Sequence, residues 1–169
     1  MKHLLAAGLL ALSTLASPVP AQERVVATPN ADQLFTSPDP QLNANKQVVY
    51  RILRDLLDAG RWDLADELLS EEYVQHNPNA RSGRDAVVYY FTEVLKVEPR
   101  PIPETLNMKV VAVMAEGDLV TVLYPRTVED ASVPGGSYST TWFDTWRIKD
   151  GKAVEHWDPA LLNEAPDLR

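Results

Sequence analysis

The sequence predicts an α+β domain in which helices pack on one face of a curved antiparallel sheet, and three observations predict it. Apolar residues recur at the three-to-four spacing of helices from Val48 to Leu95, then alternate with a period of two from Leu106 onward, and the triple-proline stretch "VEPRPIPE" divides the two regimes. A strongly bent sheet wrapped around a helix leaves a conical cavity, so inward-facing polar side chains on the strands would line a pocket. No internal repeat and no alternation of strand and helix competes with this reading.

The first helix is carried by Val48, Val49, Ile52, Leu53, Leu56 and Leu57, with Asn43 or Asn45 expected as its cap and Gly60 as the left-handed residue that closes it. "DLADELLSEEY" reads as a second helix with Leu64, Leu68 and Leu69 inward, and Pro78 and Gly83 in "HNPNARSG" break it. Val87, Val88, Phe91, Val94 and Leu95 define the buried face of a third. Two strands then meet at Glu116-Gly117-Asp118 and two more at Asp150-Gly151, a strong hairpin signal. The Gly-rich connection "EDASVPGGSYS" is expected to form a rim or lid over the cavity.

Ahead of this domain, Lys2 and His3 precede an apolar run from Leu4 to Leu15 and the small-residue ending Val19-Pro20-Ala21. That is the anatomy of a secretory signal peptide over residues 1–21, so the protein is expected to be secreted or periplasmic. Residues 22–41 are expected to be a flexible arm, 42–163 the folded domain and 164–169 a C-terminal tail. No later segment approaches the length of a membrane span. The chain has no cysteine, which excludes disulfides, thiolate zinc sites and cysteine nucleophiles. A net charge of -8 with scattered Lys and Arg argues against nucleic acid as a partner.

The chemistry-bearing residues lie mostly on the last two strands. Alternation puts Trp142, Asp144 and Trp146 on one face, and His156 and Asp158 together with Trp157 opposite. A two-residue turn at Asp150-Gly151 would pair Asp144 with Trp157, whereas a bulge would slip the register by one and bring Asp144 beside His156 and Asp158. Both registers remain open at this level. If His156 and Asp158 face a cavity, a carboxyl in such a desolvated, aromatic setting suits proton transfer at carbon beside a carbonyl. His76 and Asn77 in "YVQHNP" could hydrogen-bond a substrate oxygen, and Tyr124 and Arg126 share a face on which Arg126 could hold an anionic oxygen. Tyr73, Tyr89, Phe91, Trp142 and Trp146 are candidates for the pocket wall. A metal set of His76, His156 and Asp158 lacks any HxxxH or HExxH spacing, so neither metal nor cofactor is expected. A GxSxG elbow and a Gly-rich phosphate loop are also missing from the sequence.

"EEYVQHNPNARSGRDAVVYYF" resembles the Y-x-Q-H-N-P…G-x-x-A…F segment of SnoaL-like proteins, within the nuclear transport factor 2-like superfamily. "FDTWRIKDGKAVEHWDPA" is similar to that family's closing hairpin, and the likeness spans roughly Asn43 to Leu161. The resemblance implies a cone-shaped α+β barrel with a deep hydrophobic pocket, often a homodimer through the sheet. It implies an activity like that of polyketide cyclases, which close a ring by intramolecular aldol condensation without metal or cofactor. Their acid/base aspartate falls on Asp158, and a second pocket position, histidine in the cyclases, falls on Asp144, which favours the slipped register. Tyr124 stands where many relatives carry histidine, and the cyclases are cytoplasmic. Two functions follow as expectations: a cofactor-free lyase or isomerase using Asp158 with His156 and Asp144 on a small carbonyl compound, or a non-catalytic protein that binds a small apolar ligand.

Overall fold

Five strands run in the order β1-β5-β4-β3-β2, with β1 spanning Leu69–Gln75, β2 Ala112–Glu116, β3 Leu119–Asp130, β4 Gly136–Lys149 and β5 Lys152–Trp157. Three helices pack on this curved, mostly antiparallel sheet: α1 (Pro40–Arg51), the single turn α2 (Ala65–Leu68) and α3 (Arg84–Tyr89). The computed structural model describes residues 23–164. The leader expected over residues 1–21 and all of the tail expected over 164–169 except Glu164 lie outside the described residues.

Asp39 caps α1, its Oδ1 accepting from the N–H groups of Gln41 and Leu42 at 2.9 Å each, with Pro40 at the first helical position. The expected caps do other work. Asn45 is buried and donates to the Gly117 carbonyl at 3.0 Å, tying the helix to the β2–β3 turn, and Asn43 accepts from Ser37 N–H. Beyond Arg51 the helix widens into π-type turns over Ile52–Asp58, as α3 does over Tyr90–Val94. Gly60 ends the first of these at φ +68°, as expected, and a Cβ there would stand 2.8 Å from the Glu98 carbonyl oxygen. Val49, Ile52, Leu53 and Leu56 of this helix share one core with Val113, Val120, Val122, Trp146 and Ile148 of the sheet.

Three expectations give way. The predicted second helix stops at Leu68, and Leu69–Gln75 is instead an edge strand paired parallel to β5, with Gln75 opposite His156. Leu69 and Tyr73 are buried while Glu71, Glu72 and Val74 face solvent, so pairing and burial outweigh the helical preference of the glutamates. The sheet is therefore not wholly antiparallel. The connection "EDASVPGGSYS" is no lid, because the β3–β4 ladder continues to Asp130 opposite Gly136 and only Ala131–Gly135 turn.

The arm is likewise laid against the fold rather than free. Thr28 N–H donates to the Val110 carbonyl at 2.8 Å, Val25 N–H to Ser139 Oγ at 2.8 Å, and Phe35 is fully buried beside Tyr50 with ring centroids 5.3 Å apart. One aromatic side chain supplies enough apolar burial to hold a polar segment in place. No helix among the described residues is long and apolar enough to cross a membrane.

Phe35→Ala should lower the unfolding free energy by about 3–5 kcal/mol in a urea titration, the cost of emptying a core aromatic site. A change near zero would mean that the arm does not contribute to the fold.

Candidate active site

The register of the last hairpin is set by one residue. Lys149 pairs with Lys152 and Ile148 with Ala153, but Arg147 pairs with Glu155, so Val154 is an extra residue in β5. From there Trp146 faces His156 and Thr145 faces Trp157. Asp144, Trp146, His156 and Asp158 consequently share the inner face, which is the slipped register.

They line a cavity of about 750 Å³, walled also by Tyr73, Phe91, Tyr124 and Trp142, with Asn77 at one side. Among the named candidates, His76 and Tyr89 do not line it. His76 points to the outer side, its ring stacked on Trp157 at 5.1 Å and its Nε2 2.8 Å from Glu155 Oε1, and Tyr89 is exposed. Alternation explains His76: once Tyr73 is strand and inward, Gln75 is inward and His76 is not. Gln75 is the functional residue that sequence reading missed, because its segment reads as helix.

His156 is buried between two carboxylates. Its Nε2 lies 3.2 Å from Asp144 Oδ1, and its Nδ1 lies 2.8 Å from Gln75 Oε1 and 3.9 Å from Asp158 Oδ2. Asp158 accepts from Asn77 Nδ2 at 2.7 Å and from Ala160 N–H at 2.9 Å, and Asp144 accepts from Trp142 Nε1 at 3.2 Å.

The proton inventory follows from one backbone amide. Asn77 N–H, which can only donate, reaches the same Gln75 Oε1 at 3.1 Å, so the atom facing His156 is oxygen and Nδ1 must carry a proton. A bare lone pair on Nε2 against a carboxylate oxygen would be repulsive. Nε2 and Asp144 Oδ1, 3.2 Å apart, are thus placed to exchange a proton.

Burial pushes the Tyr73 and Tyr124 phenols well above the ordinary tyrosine range, and the charge of nearby Asp144 adds to the effect. Both stay protonated as donors. The Tyr124 hydroxyl is itself fully buried in the cavity wall, with Asp144 as its acidic neighbour.

The metal set of His76, His156 and Asp158 is not assembled, because His76 is outside. Asp144, His156 and Asp158 do place one ligand atom each within 4.8 Å of one another, a donor set a divalent cation could use. The carboxylates flank the imidazole, Asp144 on the Nε2 side and Asp158 on the Nδ1 side, instead of converging on one nitrogen.

With fold and site in hand, the chain belongs to the SnoaL-like domain family, whose model matches residues 49–156. Among solved structures, a candidate SnoaL-like polyketide cyclase from Jannaschia sp. CCS1 is similar at 20% identity and a TM-score of 0.51, covering 73% of this chain and 91% of that one. A candidate polyketide cyclase from Bacillus cereus ATCC 10987 is 19% identical over 71% of this chain and 79% of that one, with a TM-score of 0.49. The likeness to the Jannaschia protein establishes the cone fold. No curated protein matches the chain.

Nitrogen-15 NMR of the imidazole should show His156 protonated at Nδ1 near neutral pH, and Gln75→Leu should move the signal toward the Nε2–H tautomer. An Nε2–H tautomer in the unsubstituted protein would overturn the proton inventory.

Proposed function

We propose that the protein is an exported, cofactor-free acid/base catalyst of lyase or isomerase type acting on a small carbonyl compound. The observation that carries this is the His156 imidazole held between Asp144 at Nε2 and Asp158 on the Nδ1 flank, in an aromatic-walled cavity.

Asp158 takes a proton from carbon beside a carbonyl. In an aldol-type closure the carbanion attacks a second carbonyl of the same molecule, and the new alkoxide takes a proton from the His156–Asp144 pair. Asp158 then gives its proton to water and the His156–Asp144 pair takes one from water, so the cycle closes without a redox partner. Removing the proton requires positioning more than strength, which the fixed imidazole and buried phenols supply.

The family and the names of its solved relatives support a cyclase-type pocket. The apolar walls alone would also serve a ligand-binding protein, and the polar end is what separates the two readings.

The leader-like residues 1–21 support export. A homodimer through the outer sheet face is supported by Met114 and Phe143, 56% and 43% exposed on the side away from the cavity. Phe143→Glu should give a monomer by light scattering where the unsubstituted chain gives a dimer.

Deuterium uptake from D2O beside the carbonyl of bicyclic ketones such as 2-tetralone tests the chemistry. Asp158→Asn should slow uptake about 10²–10⁴-fold while the ketone still binds, and EDTA should leave the rate unchanged. Equal uptake by both proteins would return the cavity to binding alone.

A further inference from the structure

The cavity has a second polar group, separated from Asp144 by the Trp142 indole. Arg126 lies on β3 opposite Thr140, four residues along β4 from Asp144, or about 13 Å at the rise of a strand. Its guanidinium sits over the Trp142 ring, 4.7 Å from the centroid, and is ion-paired with Glu164. Arg126, Trp142 and Glu164 all line the cavity.

Glu164 reaches this place because the chain after Asp158 folds back over the mouth. Asn79 Nδ2 donates to the carbonyls of Leu161 at 2.8 Å and Glu164 at 3.2 Å, Asn163 N–H donates to Asn79 Oδ1 at 2.6 Å, and Leu161 N–H donates to Glu164 Oε2 at 2.9 Å. The carboxylate is thus presented by a short polar clasp rather than by a packed element. Arg126 and Glu164 side chains are 27% and 20% exposed, so the pair is largely withdrawn from water yet open on one side.

The surrounding charge points the same way. On a chain of net charge -8, the cavity is lined by three cations, Arg24, Lys109 and Arg126. Their segments converge: Val25 N–H bonds Ser139, the neighbour of Thr140, and Val111 N–H bonds the Leu123 carbonyl on β3. Asp144 and Asp158 stand on the other side of the Trp142 indole, whose Nε1 donates to Asp144. Such a field favours a ligand negative at the mouth and uncharged at the depth.

We propose that Arg126, stacked on Trp142, is an anion subsite that Glu164 fills until ligand enters, and that the preferred ligand is an apolar carbonyl compound ending in an anionic group. This rests on the cavity being the ligand site and names the ligand class it takes. The anion displaces Glu164 from the guanidinium, the clasp of residues 161–164 moves aside, and the carbonyl portion is delivered toward Asp158. A guanidinium over an indole is preorganised for this exchange, since neither group has to reorient when one carboxylate replaces another.

Two fluorescent probes with the same aromatic framework test it: 1-anilinonaphthalene-8-sulfonate, which is anionic, and N-phenyl-1-naphthylamine, which is neutral. Titrated into the full chain, Glu164→Ala should tighten the sulfonate about tenfold and leave the neutral probe within about twofold, the scale of one charge-assisted contact. Arg126→Met in the Glu164→Ala background should remove that gain, with neutral-probe binding reporting an intact cavity. A sulfonate affinity indifferent to Arg126, or both probes tightening alike, would overturn the subsite and leave the acid/base reading standing. Failure of both probes to enter any variant would overturn the ligand cavity as well.

Discussion

The whole polar end of the cavity depends on the bulge at Val154. Side chains of a strand alternate, so one extra residue exchanges inside for outside along everything that follows it. With Val154 inserted, His156 faces Trp146 and lies on the same side as Asp144; without it, Asp144 would face Trp157. The edge strand accommodates the same irregularity, its pairing to β5 shifting between Leu69 and Val74 before Gln75 meets His156. Both neighbours of β5 are therefore fitted to the bulged form.

A second constraint shapes the roof. Both long helices widen into π-type turns where they pass over the cavity, and Ile52, Leu56, Leu57, Tyr90 and Phe91, all in those turns, line it. The ring of Phe91 stacks on Trp62 with centroids 4.0 Å apart. Widening changes the angular spacing of successive residues, so more apolar side chains turn toward one side than a regular helix would offer. The cavity is apolar above because helices supply the roof, while the strands supply Asp144, His156 and Arg126.

Most of the architecture was legible because period and punctuation were clean. The alternation through Val120, Val122 and Tyr124, the turn at Asp150-Gly151 and the left-handed Gly60 each have a local cause, and each falls where the residues indicate. What escaped reading has a nonlocal cause. "LSEEYVQ" contains good helix formers and becomes a strand only because β5 offers it a partner about eighty residues later, so Gln75 and the outward turn of His76 went with it. The arm was misread for the same reason, since its composition is that of a loop and only the pocket around Phe35 reveals its place. Asp144, His156 and Asp158 could be named from sequence, whereas their meeting required a bulge that no residue type announces.

The strand order carries a consequence for how such a site comes into being. β5 is the last strand made, yet it lies inside the sheet, with β4 on one side and β1 on the other. β1 has no other strand to pair with, and the contacts that place Gln75 and Asn77 against His156 and Asp158 span 81 residues each. Long-range pairing of this kind is slow, and here it must wait for a segment 81 residues downstream. While the ribosome still holds that segment, the nascent protein has neither its first sheet edge nor its proton-handling end. A chain lacking residues 152–158 would lose β5, the partner of β1, and with it His156 and Asp158.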